Sequence, residues 1–564
     1  MTDSAQVRSG GELLIEALKT QGADHAFCVP GESYLAALDA LHDAPEIALT
    51  ICRQEGGAAM MADAYGKLTG RPGICFVTRG PGATNASAGV HIAFQDSTPM
   101  ILFIGQVGRD MIEREAFQEV DFRRMFGQMA KWVAQIDQAE RIPELVSRAF
   151  HVATAGRMGP VVLALPEDML RERVAAPRAE PYRPVQAHPA AEDMARLAEL
   201  VSGAERPLAI LGGRGWDELA CAGFARFAES FELPVTCAFR YQDLFDNDHP
   251  NYVGDVGLGI NPALAARVRE ADLLLAVGAR LGEMTTSGYS LIESPEPKQR
   301  LIHVHPDPEE LGRVYRPTLA INAGMKAFAR ALGELAPPTA PRHAAETETA
   351  RREYLAWNEP PAASPGQGGV HMASVIGWLR EHLPPEAIVC NGAGNYTAWV
   401  HRFHRYRRLG SQLAPTSGSM GYGTPAAVGA KRLHPERTVV AFAGDGCFLM
   451  NGQELATAVQ YDLPIVVIVV NNGMYGTIRM HQERSYPERI IGTELKNPDF
   501  ARLAEAYGAF GARVERTEDF AAAFEAAEAS GRPALIELIV DPEAITPRQS
   551  LSEIRTQALT GASG

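Results

Sequence analysis

The sequence predicts an α/β protein built from three doubly wound parallel-sheet domains. Continuous apolar runs at 438–443 and 465–470 have the character of strands in a parallel sheet, whose faces are both covered by helices. Glycine-bearing turns and helix-like segments alternate with such runs, as a βαβ crossover requires. One succession of these features also occurs twice in the chain.

At 564 residues the chain is long enough for about three domains. A hydrophobic share of 46% with 21% charged residues is ordinary for a globular protein. The net charge of −15 argues against a nucleic-acid or anionic-membrane partner. No window is long and apolar enough to span a bilayer, and residues 1–22 are too polar for a signal peptide. The seven cysteines are scattered without metal-ligand spacing, which predicts buried thiols in a reducing cytoplasm. Cys447 is expected to pack or to anchor backbone rather than to react.

Two Pro- and Ala-rich stretches, 174–193 and 336–369, lack periodicity and read as linkers. They leave an N-terminal domain at 1–173, a central α/β domain at 194–335, a third domain at 370–545 and a tail at 546–564. The first and third domains echo each other. An apolar run, a Gly-X-Gly turn, a helical segment, an Asp-to-Pro turn and a second apolar run follow in one order at 73–105 and again at 438–470. The central domain has its clearest strands at 208–212, 273–278 and 301–305. His303 and His305 alternate within the last of these, which favours a structural role over a metal site.

Gly444-Asp445-Gly446 ends one apolar run and Asn471-Asn472 ends the next. A crossover would set Asp445 and Asn472 side by side at the sheet edge where open α/β sheets bind ligands. An Asp, an Asn and nearby backbone oxygens form an incomplete shell suited to Mg²⁺, which keeps positions for water and phosphate. Gly446 lets backbone approach a diphosphate closely. Gly-Asp-Gly alone would be an ordinary turn; the second strand and the amide pair at this spacing make the signal specific. The pattern resembles the diphosphate–Mg²⁺ motif of thiamine diphosphate (ThDP) enzymes. The resemblance extends from Gly11 to about Ala558 and is strongest to the large subunit of acetolactate (acetohydroxyacid) synthases.

The resemblance implies thiamine diphosphate and Mg²⁺ as cofactors. Asp445, Asn472 and the Met474 carbonyl would be metal ligands, with Asn395, Tyr396, Gly444, Gly446, Cys447 and Tyr475 around the cofactor. Met420 would wedge between the two cofactor rings, and Gly418 would accept from the 4′-amino group. Glu55 would hydrogen-bond the aminopyrimidine; a carboxyl in an apolar pocket keeps the neutral, donating form that this needs. The family usually carries His before this Glu, where this chain has Gln54. Gln118 matches a residue that contacts the reacting substrate, and Lys131 also matches. Glu32 follows Pro30-Gly31, where synthases usually have a second Gly; it reads as an acid/base group or as a solvated turn residue, and both readings stand. Ile478, Met480 and His481 are pocket candidates. His481 stands where acetohydroxyacid synthases carry a Trp that helps choose the second 2-oxo acid, and it is a further candidate for proton transfer.

The expected activity is decarboxylation of a 2-oxo acid followed by ligation of the remaining fragment to a second carbonyl compound. A non-ligating 2-oxo acid decarboxylase or C–C lyase is the alternative within the class, and a silent ThDP-fold scaffold or regulatory subunit lies outside it. FAD in the central domain stays open. The resemblance further implies a homodimer or homotetramer with sites at subunit interfaces. The tail either folds over the site or frays.

Overall fold

A computed structural model describes residues 7–338, 342–361 and 368–561. It contains three six-stranded sheets, parallel throughout, and one two-stranded antiparallel pair. Two compact units result. The first takes the chain up to Val185 together with Pro425–Pro435 and Asn451–Tyr461; the second takes Gln186–Thr424, Glu436–Met450 and the chain from Asp462 onward.

In the first unit the strands Gly73–Val77, Met100–Gln106 and Pro160–Pro166 are buried at every position. Helices cover both faces of such strands, so no alternation with polar residues survives. With strands numbered in chain order within the sheet, this one runs 2-1-3-4-6-5. The second unit holds the other two sheets. The one built from Ile388–Asn391, Gln412–Leu413, Val439–Gly444, Val466–Asn471, Phe510–Val514 and Ala534–Ile539 also runs 2-1-3-4-6-5. The echo in the sequence is therefore an identity of winding. The central sheet differs, running 3-2-1-4-5-6. His303 and His305 are buried on its strand Arg300–His305, and burial lowers the pKa of both. His303 Nε2 meets the Ala279 carbonyl at 2.9 Å, which makes it a neutral structural contact. Among the described residues no helix is long and apolar enough to cross a membrane.

Three stretches differ from expectation. The Gly-X-Gly turn expected at 444–446 instead opens a helix, Asp445–Asn451, which is followed by a second helix, Glu454–Gln460. Cys447 and Phe448 are buried there, so packing of this apolar stretch favours helix over loop. The supposed linker at 336–369 carries the helix Ala344–Asn358. Its buried face is Thr347, Ala350, Tyr354 and Asn358, a helical spacing hidden because two of its four residues are polar. Positions 339–341 and 362–367 of that stretch lie outside the described residues. The other supposed linker begins with the strand Arg173–Ala175, paired antiparallel with Val7–Ser9.

Over its described residues the tail is folded. Ser550 and Glu553 form a capping box for the helix Leu551–Thr560, satisfying two end donors reciprocally. Leu551, Ile554 and Ile545 form a small core with Met480. Arg555 donates to both oxygens of the fully buried Glu483 at 2.8 and 2.6 Å.

Candidate active site

Val439–Gly444 and Val466–Asn471 lie side by side, with Gly444 opposite Val470. Their C-terminal ends therefore deliver Asp445 and Asn472 to one edge of the sheet. A cavity of about 270 Å³ opens there, within the second unit. Asn395, Tyr396, Gly418, Met420, Gly444 and Asp445 all line it, as do Gly446, Cys447, Asn472, Met474 and Tyr475. Every residue of this unit expected to surround the cofactor is thus on one wall or another.

Asp445 is 3% exposed. Its Oδ1 accepts from the Gly446 N–H at 2.9 Å and its Oδ2 from Asn497 Nδ2 at 2.8 Å. Burial nonetheless raises its pKa. A buried carboxylate is costly unless a counter-charge meets it, and a divalent cation would supply one. Asn472 Oδ1 accepts from Met474 N–H at 3.2 Å, and the Met474 carbonyl accepts from Gly476 N–H at 2.9 Å. Each oxygen keeps a second lone pair. One carboxylate, one amide oxygen and one carbonyl are hard donors of the kind Mg²⁺ takes. Such a set is not a cluster of acidic or imidazole side chains, and no group of three or more His, Cys, Asp or Glu that could hold a metal occurs among the described residues.

The wall for a diphosphate is made by backbone. A Cβ on Gly446 would stand 2.5 Å from the Tyr475 ring, so only glycine lets the turn pass there. Asn395 is fixed from both ends, donating to the Ile545 carbonyl at 2.9 Å and accepting from Thr477 at 2.8 Å. Cys447 is buried and its Sγ accepts from the Gly421 N–H at 3.2 Å, the backbone-anchoring role expected of it. The residues present fit a diphosphate held through Mg²⁺.

Three lining stretches went unread in the sequence: Val370–Met372, the region of Trp399, and Val540 with Ala544 and Ile545. They are apolar or isolated and carry no spacing signal. The pocket candidates of the helix Gly476–Ser485 fall in different places. Ile478 lines the cavity, but His481 is exposed on the same helix and is not among the lining residues. Met480 is turned into the small core under the tail.

In the first unit Glu55 opens the helix Glu55–Thr69, with Gln54 as its N-cap accepting from Gly57 N–H at 3.0 Å. Asn85 Nδ2 donates to Glu55 Oε2 at 2.9 Å. A residue missed in the sequence fixes this corner. Glu454 is 0% exposed. Its carboxylate accepts from the N–H groups of Arg53 and Gln54 at 3.0 and 2.9 Å and from Thr457 Oγ1 at 2.6 Å. Gln118 sits half-buried over Gly80 with φ +64°. Glu32 is exposed, with the Arg79 guanidinium 3.5 Å away. Lys131 donates to the carbonyls of Val152 and Ala155 at 2.6 Å each, closing a helix end.

Comparison with known proteins agrees with this geometry. The chain matches the thiamine pyrophosphate enzyme N-terminal TPP binding domain over residues 8–125. It matches the central domain of the same enzymes over 194–332 and their C-terminal TPP binding domain over 392–538. It is 33% identical to an acetolactate synthase large subunit of Parasynechococcus marenigrum over 95% of this chain and 88% of that protein. Identity to the acetolactate synthase isozyme 2 large subunit of Escherichia coli K12 is 31%, over 94% and 96% of the two chains. A probable acetolactate synthase large subunit of Methanocaldococcus jannaschii is 32% identical over 95% and 93%. Three domains in the family's order, and relatives aligned nearly end to end, make this chain a member of the acetolactate synthase-like thiamine pyrophosphate enzymes, whose ThDP- and Mg²⁺-dependent chemistry is decarboxylation and carboligation.

Proposed function

We propose that the protein decarboxylates a 2-oxo acid and ligates the remaining fragment to a second carbonyl compound, as an acetolactate synthase-like carboligase. The carrying observation is the cavity in which Asp445, Asn472 and Met474 present oxygen donors beside Met420 and Gly418. Bound thiamine diphosphate supplies a nucleophilic carbon and an electron sink for the pair of electrons that loss of CO₂ leaves behind. The chain's own residues have separate tasks in this reading. Asp445, Asn472 and the Met474 carbonyl hold Mg²⁺, while Asn395, Tyr396, Gly444, Gly446, Cys447 and Tyr475 shape the diphosphate wall. Met420 and Gly418 set the ring conformation. Glu55 holds a proton at the aminopyrimidine edge, steadied by Asn85. Gln118 and Glu32 would serve the substrate, with His481 as a further candidate for proton transfer.

The reading takes the working form to be a homodimer or homotetramer, to be checked by sedimentation velocity; a fully active monomer would contradict it. FAD has no supporting observation and is left out. The test is a panel of 2-oxo acids supplied with ThDP and Mg²⁺, scored for CO₂, aldehyde and hydroxy ketone. Hydroxy ketone is the expected product. Aldehyde alone would reduce the protein to a simple decarboxylase. No turnover on any acid, unchanged in Glu55→Gln, would make it a non-catalytic scaffold.

A further inference from the structure

A diphosphate in the cavity described above would be short of counter-charge. Such a group carries about two to three negative charges near neutral pH. Bound Mg²⁺ offsets part of this, but the Asp445 carboxylate adds a negative charge of its own, so roughly one to two stay unmatched. Among the described residues that line the cavity there is no Lys and no Arg. Tyr396, Cys447 and Tyr475, the titratable groups on its wall besides Asp445 and His371, carry no positive charge in either protonation state. Of these lining side chains only His371 can become a cation.

The backbone around His371 is fixed, and its ring keeps one nitrogen for a ligand. Val370 N–H donates to the Ile539 carbonyl at 2.8 Å and His371 N–H to Thr517 Oγ1 at 2.9 Å. Nδ1 meets Ser374 Oγ at 3.1 Å. A hydroxyl accepts from a protonated Nδ1 or donates to a bare one, so this bond survives a change of ring charge. Nε2 has no hydrogen-bond partner among the described residues. Two effects favour the neutral ring in the cofactor-free protein. Burial lowers its pKa, and His371 is the N-cap of the helix Met372–His382, whose positive end disfavours a cation. The charged groups on the surrounding elements are engaged elsewhere. Asp541 accepts from Gly368 N–H at 3.0 Å, and Glu518 and Asp519 lie 3.5 and 3.0 Å from Arg516. Arg380 and His382, at the far end of the helix, pair with Glu381 and Glu528. His401 is buried against Asn391 Oδ1 at 3.0 Å, and Arg402 donates to the Trp357 carbonyl at 2.9 Å. Among the described residues no hydrogen bond joins His371 to Asp445, Asn472 or Met474.

We propose that His371 supplies the missing charge: Nε2 donates to the cofactor diphosphate, and the ring takes up a proton from solvent as the cofactor binds. The inference rests on thiamine diphosphate as the occupant of the cavity, and it couples the loading of that cofactor to pH. The loaded protein then holds more protons than the free protein, so affinity falls as pH rises through the range in which the loaded ring titrates. A permanent cation in this place would give no such dependence.

The test is calorimetric titration of ThDP into the Mg²⁺-saturated protein between about pH 6.5 and 8.5, in two buffers of different ionisation enthalpy, which counts the protons taken up. Wild type is compared with His371→Gln, which keeps a donor but cannot become charged; protons exchanged by the cofactor's own phosphate cancel in the difference. Wild type is expected to take up about half a proton more than the variant near pH 7, and its affinity to fall about tenfold more across the range. Should His371→Gln fail to fold, His371→Lys, charged throughout the range, takes its place with the same expected difference. Equal proton uptake in wild type and variant, or parallel affinity profiles, would overturn the proposal and leave the cofactor assignment standing. Absence of ThDP binding by wild type at every pH would overturn the cofactor assignment, and the proposal with it.

Discussion

The carboxylate of Glu454 accepts the backbone N–H of Gln54 at 2.9 Å, across 400 positions of sequence. Together with the bond from Arg53 N–H, it satisfies two donors at the start of the helix that carries Glu55. Helix starts leave such donors without intrahelical partners. Glu454→Gln keeps the volume but loses the charge and turns an amide N–H₂ toward donors. The expected result is a loss of about 2 kcal/mol in stability and about tenfold weaker ThDP binding. Denaturant unfolding and calorimetry read the two effects separately; unchanged cofactor affinity would reduce Glu454 to packing.

Asp445→Asn should separate metal binding from folding. Burial already disfavours the carboxylate, so a neutral isostere costs the cofactor-free fold nothing on that account. The melting temperature without Mg²⁺ is expected to change little, because relief of the buried charge offsets the loss of one of the two bonds donated by Gly446 N–H and Asn497 Nδ2. Mg²⁺-dependent ThDP binding should fall by about 100-fold, at the upper end of what loss of a charged partner costs. Retained Mg²⁺ dependence would place the metal elsewhere.

Gly446→Ala puts a methyl 2.5 Å from the rigid Tyr475 ring. The backbone turn must shift, and overpacking of this kind costs about 1–3 kcal/mol. Cofactor binding is expected to weaken, and Tyr475→Ala in the same chain should restore part of it. Absence of rescue would mean that the ring is not the obstacle.

The tail has a pH signature. Arg555, the largest influence, holds the Glu483 carboxyl down to about 2. A depressed carboxylate pKa contributes stability that is complete above the unfolded value near 4.5 and is lost as pH falls toward 2. With partial solvent screening at Arg555 the contribution is about 2 kcal/mol. Limited proteolysis should release the helix Leu551–Thr560 readily at pH 3 and slowly at pH 6. Glu483→Gln should abolish that difference and leave the tail sensitive at both.

Much of this was legible because it depends on short-range pattern. Asp445 and Asn472 could be placed together since each ends an apolar run, and adjacent parallel strands end at one edge. Winding could be anticipated from the repeated order of turns, though not that the two sheets would agree strand for strand. Glu454 was not legible, because it works through partners 400 residues away. The helix Ala344–Asn358 was missed because Thr, Ala, Tyr and Asn make its buried stripe. Helix phase was not legible either: it puts Ile478 on the cavity wall and leaves His481 exposed on the same helix.

Identical winding gives the chain two crevices of one kind, at the reversal points of its first and third sheets. On the proposed function, the crevice of the third sheet answers to metal and phosphate through Asp445 and Gly446. The turns of the first sheet carry Glu32 and Arg79, which stand outside that set. Side chains there can vary without touching the residues that would hold the cofactor.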